Sequence, residues 1–201
     1  MIEEAILTET DRWRRLSEAV TYGLAIHAEQ IRKGSGIPYI GHLLGVASLV
    51  LEAGGDEDQA IAGMLHDAIE DVGAEQEAEI KARFGGRVAR IVRACTDADT
   101  QPKPPWRARK EAYIEHLEHA DRDALLVSCS DKVHNSRAIV TDLRTLGPVM
   151  FNRFTGGAHG TLWYYSELAA VFERRLPGPL SRELNEAVAE MQRLAGHQVN
   201  V

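Results

Sequence analysis

"DEDQAIAGMLHDAIEDVG", residues 56–73, is the stretch whose reading decides the fold. It reads as a buried helix running from about Asp56 to Val72 and closed by Gly73. Inside it, "MLHDAIED" sets His66, Asp67, Glu70 and Asp71 within six positions. On an α-helix, residues four apart share a face, so His66 pairs with Glu70 and Asp67 with Asp71. Adjacent His66 and Asp67 can both reach a point beside the helix. Burying that much charge without a partner is very costly. A divalent cation is the cheapest compensation, because it binds neutral imidazole and carboxylate oxygen directly. The competing reading is a solvated acidic face near a helix C-terminus, which the helix dipole mildly disfavours. On these eight residues alone both readings stay open.

Outward from this helix, helical spacing recurs along the whole chain, with no convincing alternating run, no fixed-period repeat and no low-complexity segment. Trp13, Leu16, Val20 and Leu24 mark one stripe of a first helix over about 10–32. The glycines and proline of "RKGSGIPYI" make a loop, and a second helix starts near His42 and stops at Gly54-Gly55. After Gly73, short helices are expected around 75–84 and 86–95. "TDADTQPKPP" is a proline-rich loop. Helices over about 106–119 and 121–145 follow, the latter with room for one break, then "GP" at 147–148, then helices near 159–174 and 180–195. The expectation is an all-α, multi-helix bundle forming a single domain over 1–201.

Two further segments bear on the acidic helix. "PYIGH" puts His42 at the start of the second helix, and "CSDKVHNSR" puts Asp131 after the apolar run "ALLVSC". His42, His66-Asp67 and Asp131 then form the ordered pattern H…HD…D. Two imidazoles and two carboxylates from three helices suit Mn²⁺, Fe²⁺ or Zn²⁺ and leave coordination positions for water and substrate.

With these residues in view, the chain resembles the HD-domain phosphohydrolase superfamily. Within it, the sequence resembles the hydrolase domain of RelA/SpoT-type alarmone enzymes, and still more the stand-alone small alarmone hydrolases of the metazoan SpoT-homologue type. The matching pieces are "HAEQIRKGSGIPYIGHLLGVA", "AGMLHDAIEDVG", "RFGGRVARIVRACTD", "SDKVHNSRAI" and "GTLWYYSELAAVF", covering about 20–175. The resemblance implies hydrolysis of a nucleotide 3′-pyrophosphate, with guanosine tetra- or pentaphosphate favoured and an adenosine counterpart or another phosphate ester as alternatives. It implies one Mn²⁺ held by His42, His66, Asp67 and Asp131, with Fe²⁺ or Zn²⁺ as alternatives. Glu70 and Asp71 match the family's "ED" pair, which works on the attacking water, and Asn135 matches an asparagine near the cleaved phosphate. Arg32, Lys33 and Tyr39 match a segment lining the nucleotide pocket. The loop "RKGSGIPYI" is one residue longer than the family's "RKSGEPYI", and Ser130 and Leu43 stand where alanine and proline are usual.

A metal-bound water has its pKa lowered towards neutrality, and nearby carboxylates can orient it and take its proton. Lys132, Arg137 and the Arg32-Lys33 pair could neutralise phosphate charge, with a solvated surface charge as the bland alternative for each. His27 lies on the apolar stripe of the first helix and is expected to pack there, though it matches a family histidine. His134 is expected to brace the metal helix, and His116, His119, His159 and His197 to be structural or exposed. "KPPWRARK" reads as a linker and helix start, or as a mobile flap over a phosphorylated ligand. "WYY" at 163–165 reads as core packing.

Composition narrows the classes. Of 201 residues, 44% are hydrophobic and 26% charged, so a sizeable core is available. A net charge of −7 argues against broad nucleic-acid binding, and no apolar run approaches the ~20 residues of a membrane helix. Cys95 and Cys129 lack metal-type spacing and read as buried reduced thiols, consistent with a cytoplasmic protein. The partner expected is a small nucleotide. The rival from another class is a non-catalytic helical module that binds a nucleotide or a protein.

Overall fold

The computed structural model describes residues 13–98 and 102–196. His197, the first residues of the expected first helix and the middle of the proline-rich loop lie outside them. The described residues form nine α-helices and no strand: α1 (Arg14–Ile26), α2 (Ile40–Glu52), α3 (Glu57–Leu65), α4 (Gln76–Phe84), α5 (Gly86–Cys95), α6 (Trp106–His119), α7 (Arg122–Leu146), α8 (Gly157–Arg175) and α9 (Pro179–Gly196). A π-helical turn (Ala68–Val72) follows α3, and a 3₁₀ segment (Gly147–Arg153) follows α7. The fold is all-α. Among the described residues, no helix is long and apolar enough to cross a membrane.

Two hydrophobic clusters organise the chain. The first is built from α1 to α5 around Leu43, Ile61, Leu65, Ile80 and Ile91. The second is built from α6 to α9 around Leu117, Leu125, Phe151, Leu168 and Phe172. Helix α7 runs between them. Val127 packs into the first cluster, while Ala124, Leu125, Cys129 and Val133 pack into the second. Cys129 is buried and Cys95 half-buried, both as free thiols.

Local chemistry explains the helix starts. Asp56 and Gln59 form a reciprocal capping box: Asp56 Oδ1 accepts from the Gln59 amide at 3.0 Å, and Gln59 Oε1 from the Asp56 amide at 2.9 Å. Asp121 caps α7 by accepting from the Ala124 amide at 2.9 Å. Helix α7 then runs 25 residues without the break the sequence allowed.

Two expectations need correction. The first helix stops at Ile26, short of Arg32. Residues 30–39 fold back on themselves instead: Arg32 N–H donates to the Ile37 carbonyl at 2.8 Å and Tyr39 N–H to the Gln30 carbonyl at 2.9 Å. Gly34 and Gly36 allow the reversal with φ of 76° and 69°. The third helix does not continue to Val72. It ends at Leu65, and Asp67 sits at φ −97°, ψ −1°, in the sparsely populated bridge region where many active-site residues are found. The chain goes on with the wider i→i+5 spacing of a π turn, closed by Gly73 N–H donating to the Ala68 carbonyl at 3.3 Å. Widening the turn here lets His66 and Asp67 address one point while Glu70 and Asp71 part company.

Candidate active site

His42 on α2, His66 and Asp67 at the end of α3, and Asp131 on α7 converge where the two clusters meet. His66 Nε2 lies 2.9 Å from Asp67 Oδ2 and 3.6 Å from Asp131 Oδ1. His42 Nε2 lies 3.6 Å and 3.3 Å from the same two oxygens. The two Nε2 atoms are 3.2 Å apart. With bonds of about 2.1 Å, the edge of a tetrahedral ligand shell is about 3.4 Å and of an octahedral one about 3.0 Å. The separations among His42, His66 and Asp67 therefore have the size of a coordination shell, and Asp131 Oδ1 stands within 3.6 Å of both imidazoles.

Tautomers point the same way. His66 Nδ1 is 2.8 Å from the Gly63 carbonyl, which only accepts, so Nδ1 carries a proton and Nε2 is the atom turned to the carboxylates; burial alone would lower the ring's pKa, but Asp67 and Asp131 hold it well above the usual range. His42 Nδ1 is 2.9 Å from His134 Nδ1, which also lies 3.4 Å from the Arg32 guanidinium. Arg32 only donates, so His134 Nδ1 accepts, His42 Nδ1 donates, and His42 Nε2 is the atom that faces the cluster. Burial, with His42 and Arg32 beside it, holds His134 down to about 4, keeping it a neutral acceptor. Burial alone would raise the Asp131 carboxyl, but Lys132 and both histidines hold it well below the usual range. Two imidazole Nε2 atoms and two carboxylate oxygens thus converge, and any proton between them is one that a bound cation displaces. A divalent cation fits that set.

The surrounding bonds fix these donors. Tyr39 donates to Asp67 Oδ2 at 2.5 Å, Lys132 to Asp131 Oδ2 at 2.5 Å and Asn135 to Asp131 Oδ1 at 2.5 Å. Arg32 donates to Asn135 Oδ1 at 2.8 Å. His134 stands against His42, and its closeness requires Gly45: a Cβ there would stand 2.3 Å from the His134 ring.

Above the cluster opens a cleft of about 710 Å³. Arg32, Lys33, Tyr39, Asp67, Glu70, Asp71, Asp131, Lys132, Asn135 and Arg137 all line it, and His42 and His66 lie buried beneath. Glu70 accepts from Lys103 at 2.9 Å and Asp71 from Gln30 at 2.7 Å, so neither is a plain solvated acid. Burial raises both carboxyls above their usual range; a nearby carboxylate adds to this, Asp97 for Glu70 and Asp67 for Asp71. Arg137 stands at the rim, exposed and paired with Glu183 at 2.5 Å. Lys33 is exposed, and its carbonyl accepts from Arg153 at 3.3 Å.

Several lining residues went unread in the sequence. Gln30, Arg153 and Asp142 belong to no charged motif, and an amide or a lone arginine gives no periodic signal. Tyr164 and Tyr165 were read as core packing; they are buried, but they also line the cleft beside Trp106. Of the "KPPWRARK" stretch, Lys103 reaches Glu70, while Arg109 and Lys110 pair with Asp97. Among the other histidines, His116 and His159 are exposed, and His119 meets Glu115 at the surface.

Comparison with known proteins agrees with this architecture. The HD domain family model matches residues 19–149. Guanosine-3′,5′-bis(diphosphate) 3′-pyrophosphohydrolase MESH1 of Mus musculus is 33% identical over 180 residues, 88% of this chain and 92% of its own. The bifunctional (p)ppGpp synthase/hydrolase SpoT of Escherichia coli K12 is 32% identical over 165 residues, 79% of this chain but 22% of its own length. The solved structure of a metazoan orthologue of SpoT that hydrolyses ppGpp superposes with a TM-score of 0.74 at 25% identity, covering 90% of this chain and 96% of that one. The lmo0812 protein of Listeria monocytogenes EGD-e superposes with a TM-score of 0.64 at 27% identity, covering 77% of this chain and 98% of that one. With the helices, the H…HD…D cluster and these likenesses together, the chain belongs to the HD-domain family.

Proposed function

We propose that the chain, as one HD-type domain over 1–201, hydrolyses the 3′-pyrophosphate of guanosine 3′,5′-bis(diphosphate) or its pentaphosphate counterpart. The single observation that carries this is the convergence of His42, His66, Asp67 and Asp131 beside two further carboxylates, on the floor of a cleft walled by Arg and Lys side chains. The substrate follows the activity named for the mouse and metazoan relatives.

His42, His66, Asp67 and Asp131 would hold one Mn²⁺, with Fe²⁺ or Zn²⁺ suiting the same borderline donor set. A divalent ion there supplies Lewis acidity and lowers the pKa of water towards neutrality. Water adds to the phosphorus next to the 3′ oxygen, the bond to that oxygen breaks, pyrophosphate leaves and the 3′ oxygen gains a proton. Glu70 and Asp71 orient the water and accept its proton; raised carboxyl pKa values bring them nearer to the pH at which they work. Asn135, fixed by Asp131 and Arg32, has a second amide N–H to offer a phosphoryl oxygen. Arg32 and Lys33 meet the nucleotide, with the Arg32 plane able to stack on a base. Tyr39 holds Asp67, and Lys132 and Arg137 offset phosphate charge.

The test is pyrophosphate release by purified protein, metal-loaded and chelated, from ppGpp, its adenosine counterpart and simple phosphate esters. Release from ppGpp that needs the metal is the expected result. A preference for the adenosine compound changes only the base. Metal-loaded protein that turns over nothing in the panel leaves the non-catalytic binding module as the better reading.

A further inference from the structure

His27 is a buried histidine to which the hydrolysis above gives no task. It follows the last residue of α1, is 3% exposed, and its ring packs against Tyr39 with centroids 5.7 Å apart. Its Nδ1 is 2.5 Å from Gln30 Oε1. Gln30 passes the contact on, donating through Nε2 to Asp71 Oδ2 at 2.7 Å.

Chemistry sets the direction of this chain. An ionised carboxylate only accepts, so Gln30 must turn its NH₂ towards Asp71 and its carbonyl towards His27. His27 therefore carries its proton on Nδ1. Its Nε2 is buried with no hydrogen-bond partner. That suits the bare nitrogen of a neutral imidazole. The second N–H of an imidazolium would be a buried orphan donor, which is strongly disfavoured.

The arrangement answers a problem peculiar to an amide. A glutamine fits its slot equally well when turned by half a revolution, and the turned form would set its carbonyl against the Asp71 carboxylate. Glu70 needs no such guard, since its partner is the Lys103 ammonium, which can only donate. A neutral donor fixes the direction of Asp71 without cancelling its charge, as a lysine would.

We infer that His27 and Gln30 are positioning residues for Asp71: the buried imidazole locks the Gln30 amide so that it donates to Oδ2, leaving Oδ1 to the attacking water. The inference rests on the reading of Asp71 as a water-handling carboxylate, and the experiment separates the two. Gln30→Glu keeps the size and the acceptor for His27 but replaces the donor facing Asp71 with an acceptor. His27→Ala removes the lock, and His27→Asn restores a donor near the Nδ1 position. For each, kcat, KM, bound metal and melting midpoint are measured, alone and in an Asp71→Asn background.

Gln30→Glu and His27→Ala are expected to lower kcat by roughly 10–100-fold, the scale of partners that orient a working side chain, with KM and metal content unchanged. His27→Asn recovers much of the loss. Neither change costs more once Asp71 is Asn, because both act through it. Near-wild-type kcat in Gln30→Glu, a loss confined to KM or metal content, or full additivity with Asp71→Asn overturns the inference. If His27→Ala does not fold, Gln30→Glu at the half-buried cleft edge still decides. Near-wild-type turnover in Asp71→Asn overturns the mechanistic reading and this inference together. A loss there with none in Gln30→Glu overturns this inference alone.

Discussion

The two hydrophobic clusters treat polar side chains in opposite ways. The first closes around short ones and pins them: His66 to the Gly63 carbonyl, His42 to His134, Asp67 to Tyr39. The second supplies long basic ones on its edge, several paired with acids away from the floor of the cleft, as Lys110 is with Asp97, Arg137 with Glu183 and Arg153 with Asp142, while Lys103 and Arg109 reach in to Glu70. The difference follows from the two tasks. A metal ion needs donor atoms placed to within a few tenths of an ångström, while phosphate charge can be met by cations on flexible stems that exchange partners. Damage to the floor should therefore be all-or-none, and damage to the walls graded.

The largest expected effect is at Asp131, the proposed ligand from the helix between the clusters. Asp131→Ala should lose bound metal and measurable turnover together, checked by metal analysis of the purified protein. Undiminished metal would remove Asp131 from the ligand set and blur the contrast. Next come Glu70→Gln and Asp71→Asn, which should keep metal, fold and KM while kcat falls by roughly 10²–10⁴-fold. Their double variant should fall short of the product of the single losses, because both act on one water. Near-wild-type kcat in both single variants would leave the hydrolysis without its base.

Gly45→Ala sharpens the comparison from a position that touches no donor. The added Cβ must displace His134, and His42 loses its brace. Metal affinity should fall by roughly 10–100-fold, read by titration against a competing chelator. An unchanged affinity would show that His42 needs no support. On the wall, Arg32→Ala should raise KM more than it lowers kcat, because Arg32, which holds Asn135 and lies beside His134, is proposed to meet the nucleotide. The smallest effect is expected at Arg137, whose ion pair is exposed on both sides and worth at most about 1 kcal/mol to stability. Arg137→Ala should change the melting midpoint little and KM modestly. A loss there as large as at Asp131 would break the distinction between floor and wall.

Legibility in the sequence divides along physical lines. The later helices are plain because glycine and proline punctuate them: Gly73, Gly85 and Gly147-Pro148 stand at element ends within a residue or two of the expected limits. The end of α1 was misread because His27 to Arg32 carries no breaker, and only the backbone bonds to Ile37 and Tyr39 decide for a loop. The π turn after Leu65 was invisible, since Ala68, Ile69 and Val72 suit an ordinary helix; the demand that His66 and Asp67 face one point sets the wider turn. The residues of the candidate site were legible as a group because charge stands out against apolar helices, and the fold brings them to one cleft. Gln30, Arg153 and the tyrosines of α8 were not, because their place depends on contacts between distant segments.

Helix α7 carries one more consequence. It packs into both clusters and places Asp131 against donors from α2 and α3. An ion bound there would be a staple between the two halves, added to the polar links that Asp123 already makes with Gln59 and Arg87. Uptake of the ion and global folding are then a single linked equilibrium: at a free concentration of 100 times Kd, binding adds about 2.7 kcal/mol to stability. Loaded protein should melt in one sharp step at a temperature that rises with metal concentration. With the ion stripped, the transition should move down and broaden as each half begins to unfold on its own schedule.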